Sequence, residues 1–469
     1  MTPPNWLWGY LVPVGLLLLT WGGLPPEKAR RVTPLALLSA ALGVLGYWAV
    51  GFALHLGGAH AVNPQDAGLA GLDRMLPLIP GDPGWGIVGL AGFLLSGSEI
   101  TPSITGLFLA YLPLVVSAVC MVTLALSEAR RWVMIVSALL VATVVFPLPA
   151  CWAWGSGWLA HLGETFSLGH GYVDFGGSSL VLGLPAAFTL GILLLQPRSP
   201  VGAAPAPPLA HSSLLANLGV LFLGIGWTGW TLSGPFHTTG VNWDWNQAAL
   251  SALLGMAGAV LSSELYAWLI TGELDALIAA RGIAAGWAVL LAGAPFVPGW
   301  AALILGVLAG LVFPFVHHFV EVGLRLRDPA ATIALGLTAG SIGVLGPALL
   351  ADGNWGQGWN GIGALAVGEP TKGIVGLFIG GGTQQLVAQF AGFAVIMLWG
   401  LAWGGLLGFI AHPRWPSLKH RVPQALELAA HEEPPVGSRA LESGSGSESL
   451  QELSDLETEA PSSTPVPEA

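Results

Sequence analysis

The chain has 469 residues, 54% of them hydrophobic and only 9% charged, and mean hydropathy is +0.71. A soluble domain is about 25% charged, so these values exclude a cytosolic enzyme, a nucleic-acid binder and a disordered chain, and indicate a polytopic membrane protein. The net charge of −11 is not a partner signal: residues 412–469 hold ten acids against four Lys/Arg, and the rest is spread thinly.

Apolar windows of spanning length fall near 5–22, 33–56, 103–127, 131–153, 174–195, 213–233, 246–270, 275–296, 299–324, 329–350 and 374–411. The fold class is therefore an all-α polytopic membrane protein with eleven transmembrane helices. The window 87–98 is short for a span and reads as a re-entrant or interfacial piece of a long loop; as a twelfth span it would invert every later loop. With the N-terminus outside, inner segments carry Lys28, Arg30, Arg31, Arg130, Arg131, Arg198, Arg281, Arg325, Arg327, Arg414, Lys419, Arg421 and Arg439, leaving only Arg74 and Lys372 outside. That bias predicts a multi-pass protein of the plasma (inner) membrane with a cytoplasmic C-terminus. The first apolar run lacks a basic leader and a cleavage site.

The Pro/Ala-rich stretch Pro197–Pro208 reads as a linker joining two sets of five helices, which fits inverted repeats followed by one final long helix. Two units result: a transmembrane channel-like domain over 1–411, and a Glu-, Ser- and Pro-rich acidic tail over 412–469, largely unable to bury a core. Cys120 and Cys151 sit in apolar segments and offer neither a disulfide framework nor a metal-binding spacing.

Several helices carry patterned glycine, which lets backbones approach closely where no hydrophobic force acts between helices. Val14–Gly23 reads VGLLLLTWGG, Pro149–Trp158 PACWAWGSGW, Val173–Ser178 VDFGGS, Gly226–Ser233 GWTGWTLS, Pro298–Gly310 PGWAALILGVLAG and Gly376–Gln389 GLFIGGGTQQLVAQ. In order and spacing these resemble the ammonium transporter/Rhesus (Amt/Rh) family, whose corresponding stretches read PGLAFFYGG, PVAHWVWGGGGW, LDFAGG, GWFGFNAG, SPWAALIIGAIAG and GLLYGGGLGQLGAQ. The resemblance implies a homotrimer of channels rather than an enzyme. Ammonium is met at an outer aromatic cup and ammonia crosses a narrow apolar pore. It implies no cofactor, no metal and no nucleic acid; the partners are the lipid bilayer and ammonia, ammonium or another small neutral molecule. A PII-type regulator would need a docking segment, and His412–Arg421, HPRWPSLKHR, matches none.

Carried over by motif, Trp154 matches the recruiting Trp and Trp230 the lower gate. The upper gate falls on Leu114 by counting back from Glu128, and the cup Ser falls on Ser233 or Gly234. Asp174 opens span five, where a carboxylate caps free helix N–H groups; in the family the matching Asp supports the ammonium site. The other tryptophans also suit an interfacial belt. Glu264 reads as an interhelical hydrogen-bonding group.

Two pore histidines mark the family, one on span five and one on span ten. Counting from the motifs puts them at Leu182 and Thr338, with Ala339 or Gly340 as alternative registers, and residues 174–195 and 329–350 contain no histidine. Leucine passes no proton and a threonine hydroxyl is a poor base. His317 and His318 are helix neighbours about 100° apart and cannot face one pore point. Three readings follow: a channel passing a neutral molecule without a histidine relay; a non-conducting structural or sensory subunit of the same fold; and a haem- or pigment-binding subunit using His317 or His318.

Overall fold

Hydrocarbon offers a backbone no partner but itself, so each crossing is a helix. The computed structural model of the protein describes residues 5–198, 210–363 and 372–412. Among these, nine helices are long and apolar enough to cross a membrane: Trp6–Gly23, Pro26–Val62, Pro102–Ala125, Arg131–Ala153, Ser212–Leu232, Trp245–Thr271, Gly299–Gly323, Thr332–Leu350 and Thr383–Ile410. Two shorter apolar helices, Ser178–Leu194 and Ala276–Leu290, stand at the fifth and eighth positions. Every window read from the sequence thus contains a helix, numbered here as spans one to eleven.

Boundaries shift where glycine or a cap intervenes. Span eleven begins at Thr383 rather than 374, because Gly380 turns the chain at φ +91° ahead of it. Span five begins at Ser178, after Gly177 at φ +90°. Residues 87–98 form no spanning helix: β1 (Met75–Pro77) pairs antiparallel with β2 (Gly86–Gly89), and a single 3₁₀ turn, Phe93–Leu95, follows. The linker Pro197–Pro208 lies mostly, and the acidic tail almost wholly, outside the described residues.

Spans one and six lie backbone to backbone. A Cβ on Gly15 would meet the Gly219 carbonyl, and one on Gly22 the Ala216 nitrogen, so only glycine permits this approach. Helices of the two five-span sets correspond in part, although the π segment Tyr47–Gly51 of span two has no counterpart in span seven, Trp245–Thr271. Spans four and nine each carry a π-helical segment, Val141–Val145 and Phe319–Gly323, and spans five and ten carry Ser178–Gly183 and Ala339–Gly343. Each of the latter pair also starts on a buried aspartate. Asp328 accepts from the Thr332 and Ala334 N–H groups at 3.0 Å, as Asp174 does in span five. Five helices, spans five to nine, separate the two caps along the chain.

One end is basic. Glu128, after span three, pairs with Lys28 of span two at 2.6 Å and with Arg327 before span ten. Beside it a cavity of about 340 Å³ is lined in part by Arg130, Arg198, Arg325 and Arg327. Burial pushes the Glu128 carboxyl up, but the bonds from Lys28 and Arg327 outweigh it and hold it below its ordinary range.

Candidate functional site

At the end of span four away from that basic cluster, Trp154 follows the last helical residue, Ala153. Its indole N–H donates to the Asp174 carbonyl at 2.8 Å, fixing the ring's pose. The Asp174 carboxylate turns into its own helix. One oxygen accepts from Gly177 N–H at 3.1 Å; the other accepts from Ser179 N–H at 3.0 Å, Leu180 N–H at 3.1 Å and the Ser179 hydroxyl at 2.6 Å. Cap and support are one arrangement: the side chain anchors the helix start while the backbone holds the tryptophan.

The approach to Asp174 is braced by residues the sequence reading did not single out. Gln385 of span eleven accepts from His170 N–H at 2.8 Å and donates to the Gly171 carbonyl; Gln389 accepts from Val173 N–H at 2.6 Å and donates to the Val173 and Val344 carbonyls. Trp359 donates to the Tyr172 carbonyl at 3.0 Å. Both glutamines lie in the GLFIGGGTQQLVAQ stretch, which was the signal available for them.

On the free face of Trp154 lies an imidazole. His237, on the turn Phe236–Thr238 between spans six and seven, stacks on Trp154 with ring centroids 4.8 Å apart and planes 9° off parallel. Around it stand Trp359 at 5.8 Å, Trp230 at 6.0 Å, Tyr111 at 6.1 Å and Phe175 at 6.5 Å. Its Nε2 is 2.8 Å from the Phe175 carbonyl, an acceptor only, so Nε2 carries the hydrogen. Nδ1 then accepts from the Tyr111 hydroxyl at 2.7 Å. Both nitrogens are engaged, and burial among the rings pulls the imidazole down to about 3, against a smaller upward pull from the Phe175 carbonyl. The ring is neutral at any physiological pH.

Beneath lies a second histidine. His55 of span two packs edge-on to Tyr111 at 5.1 Å and shares a 2.9 Å bond with Tyr47; its Nε2 finds no partner among the described residues. Neither His55 nor His237 belongs to a sequence motif. Tyr111, Trp154, Phe175 and Trp359 reach His237 from four segments far away along the chain, so only folding brings them together.

Of the residues the resemblance pointed to, Trp154 and Trp230 meet at 6.4 Å. Leu114 is buried in the core; the residue of span three that reaches Trp154 and Trp230 is Tyr111, one turn earlier. Ser233 turns its hydroxyl back onto the Trp230 carbonyl at 2.6 Å, and the polar group on the Trp154 face is His237 instead. Trp152 and Trp158 pack on each other, and Trp152 donates to the Ile87 carbonyl of β2. Leu182 and Thr338 are both buried, on π-bearing spans that lie against each other: a Cβ on Gly336 would strike the Leu182 carbonyl. Thr338 leaves its hydroxyl unpartnered among the described residues. Glu264 accepts from Asp275 N–H at 3.1 Å, an interhelical bond. His317 directs Nε2 to the Asp328 carbonyl at 3.2 Å and lies 3.7 Å from Glu321.

A bundle of this kind, with broken helices, clustered aromatic rings at one end and basic loops at the other, is that of a multi-pass membrane protein, and a family match makes it a transporter rather than an enzyme. The sequence model described as Ammonium Transporter Family matches residues 8–431, and the chain belongs to that family. Ammonium transporter Amt2 of Archaeoglobus fulgidus is 27% identical over 371 residues, covering 76% of this chain and 73% of the relative. Ammonium transporter 1 member 3 of Oryza sativa is 26% identical over 424 residues, 84% of this chain and 76% of the relative. Among solved structures, a protein named Sensor Amt Protein superposes with TM-score 0.66 at 20% identity, covering 87% of this chain and 92% of that one. Saccharomyces cerevisiae Mep2 gives 0.63 at 21%, covering 86% and 87%. These likenesses concern the fold.

Proposed function

We propose that the chain is a channel of the ammonium transporter class that meets ammonium at the Trp154–Trp230 cage and passes only ammonia or another small neutral molecule. The supporting observation is the pair Leu182 and Thr338, buried where spans five and ten meet and carrying no group that both takes and gives a proton near neutral pH. A charged ion crossing such a wall meets a desolvation cost of several kcal/mol or more, whereas a neutral molecule does not. Aromatic faces stabilise a waiting cation by roughly 0.5–2 kcal/mol each. In this reading Trp154 and Trp230 line the outer cup with Ser233 bonded behind Trp230, Asp174 supports it, and Leu114, Leu182 and Thr338 belong to the path. The protein is read as a homotrimer in the plasma membrane, N-terminus outside, with 1–411 as the channel domain and 412–469 as a cytoplasmic tail.

The test is solid-supported-membrane electrophysiology paired with uptake into proteoliposomes holding a pH-sensitive dye. Ammonia uptake without an ammonium-driven current is expected; a saturable current would refute the electroneutral path. A second reading, a non-conducting sensory subunit, draws support from the tight contact at Leu182–Gly336 and Gly183–Gly340, and absence of both uptake and current would favour it. Native mass spectrometry giving only monomers or dimers would count against the trimer.

A further inference from the structure

Four aromatic rings and a tyrosine-held imidazole make an unusual enclosure. A cation cage normally leaves its central ring face open to the ligand, yet here the chain has filled that face itself. The occupant is carried by a short turn, not a helix. Gly234 at φ +64° and Gly240 at φ +76° bracket it, both with no atom close enough to meet an added Cβ. Glycine takes up left-handed backbone without strain, and the far end of the turn is held at the Gly240 carbonyl, which packs against Gly358. Two hydrogen bonds and the stack hold the ring in, and no covalent or buried aliphatic anchor on His237 opposes its exit.

We propose that His237 is a specificity-determining residue of the outer cage: its imidazole occupies the ligand's place on Trp154, and a ligand binds only by displacing it. The inference rests on the cage reading given above and adds the residue that sets its affinity. A flat, uncharged ring held by two hydrogen bonds competes well against a weakly bound cation and yields to one that gains cation–π attraction from several rings at once. A small, compact cation with N–H donors fits the vacated space and bonds to the Phe175 carbonyl that His237 releases.

Displacement carries a pH signature. In the cage the imidazole resists protonation, with a value near 3; swung into water it returns to about 6.5. Acid therefore favours the open form. The titratable groups packed around it are Tyr111 from span three and His55 from span two, with the Asp174 carboxylate turned into its own helix. Apparent affinity for a cation that does not itself titrate in this range should rise about tenfold between pH 7.5 and 5.5.

The experiment titrates the full-length protein in detergent with ammonium chloride, following tryptophan fluorescence, at both pH values. His237→Ala should tighten ammonium binding by tenfold or more and abolish the pH dependence. Tyr111→Phe, which removes the bond to Nδ1 and the longer one from the His237 backbone N–H, should tighten it several-fold and keep the pH dependence, so the proposal remains testable should His237→Ala fail to fold. Unchanged affinity in both variants, or weaker binding in His237→Ala, would overturn the proposal while leaving the cage intact. An absence of any ammonium response in the parent and in both variants would instead remove the cage itself, and this proposal with it.

Discussion

Replacing Asp174 by alanine strips the acceptor from three backbone N–H groups and one hydroxyl at the start of span five, all within 3.1 Å of the carboxylate. The residue is buried, so water does not readily replace the lost oxygens. An unsatisfied buried donor costs about 1–3 kcal/mol, and three N–H groups put the loss at roughly 3–6 kcal/mol after modest relaxation of the turn. For a chain of this length about 2 °C per kcal/mol is a generous conversion, giving a drop in unfolding midpoint of about 6–12 °C. Asp174→Asn should recover part of the loss, because its amide oxygen can accept from Ser179 and Leu180 while its NH₂ would face the Gly177 N–H. The assay is thermal unfolding of the detergent-solubilised protein by intrinsic tryptophan fluorescence, which also reports Trp154 because its indole is bonded to the Asp174 carbonyl. An alanine variant melting within about 1 °C of the parent would refute the reasoning, since it would mean the buried cap contributes nothing net.

Other outcomes follow from the same geometry. In the His237→Ala background, where the ring face is free, Trp154→Leu should weaken ammonium binding several-fold, from loss of about 1 kcal/mol of cation–π attraction; unchanged affinity on fluorescence titration would show the face is not used. Introducing histidine by Leu182→His together with Thr338→His should create an ammonium-driven current if those two positions face one path, and its absence in a folded double variant would place the path elsewhere. Asp328 is pushed up by burial to about 6, against the helix N–H groups and Arg281. A raised carboxyl favours the fold fully below its unfolded value near 4, and that contribution, about 3 kcal/mol, is lost as pH rises through 6. The stability gap between the parent and Asp328→Asn, followed by thermal unfolding from pH 4 to 7, should move against the parent over that window; a flat gap would contradict it.

Hydropathy made the helices legible: each of the eleven apolar windows holds one, because hydrocarbon forces a crossing to be helical and apolar over a minimum length. The short motif around Asp174 was equally legible, since capping is a local matter of a carboxylate beside a helix start. Tyr111 and His237 were not. No motif marks Tyr111, and counting along span three leads to Leu114, one turn away. His237 sits on a turn with no periodicity, 126 residues from the tyrosine that holds it, and nothing in local composition reports a contact of that range. The basic bias of one end was visible in the chain; the ion pairs that knit it together through Glu128 needed the structure.

The π segments bear on how such a chain is to be compared with its relatives. Each packs one more residue into a turn than an α-helix does, so the two halves of span five keep their own phase about the helix axis. Removing one residue from Ser178–Gly183 would turn the Asp174 end by about 100° relative to Leu184–Leu194. No side chain would change, yet the cap and the tryptophan it holds would no longer overlie the same face of the lower half. In span ten the extra residue comes directly after Thr338, so position numbers beyond it lose their one-to-one meaning against any relative whose turn there is ordinary. In these helices a single-residue deletion is a rotation, and should be tolerated less well than most substitutions at the same place.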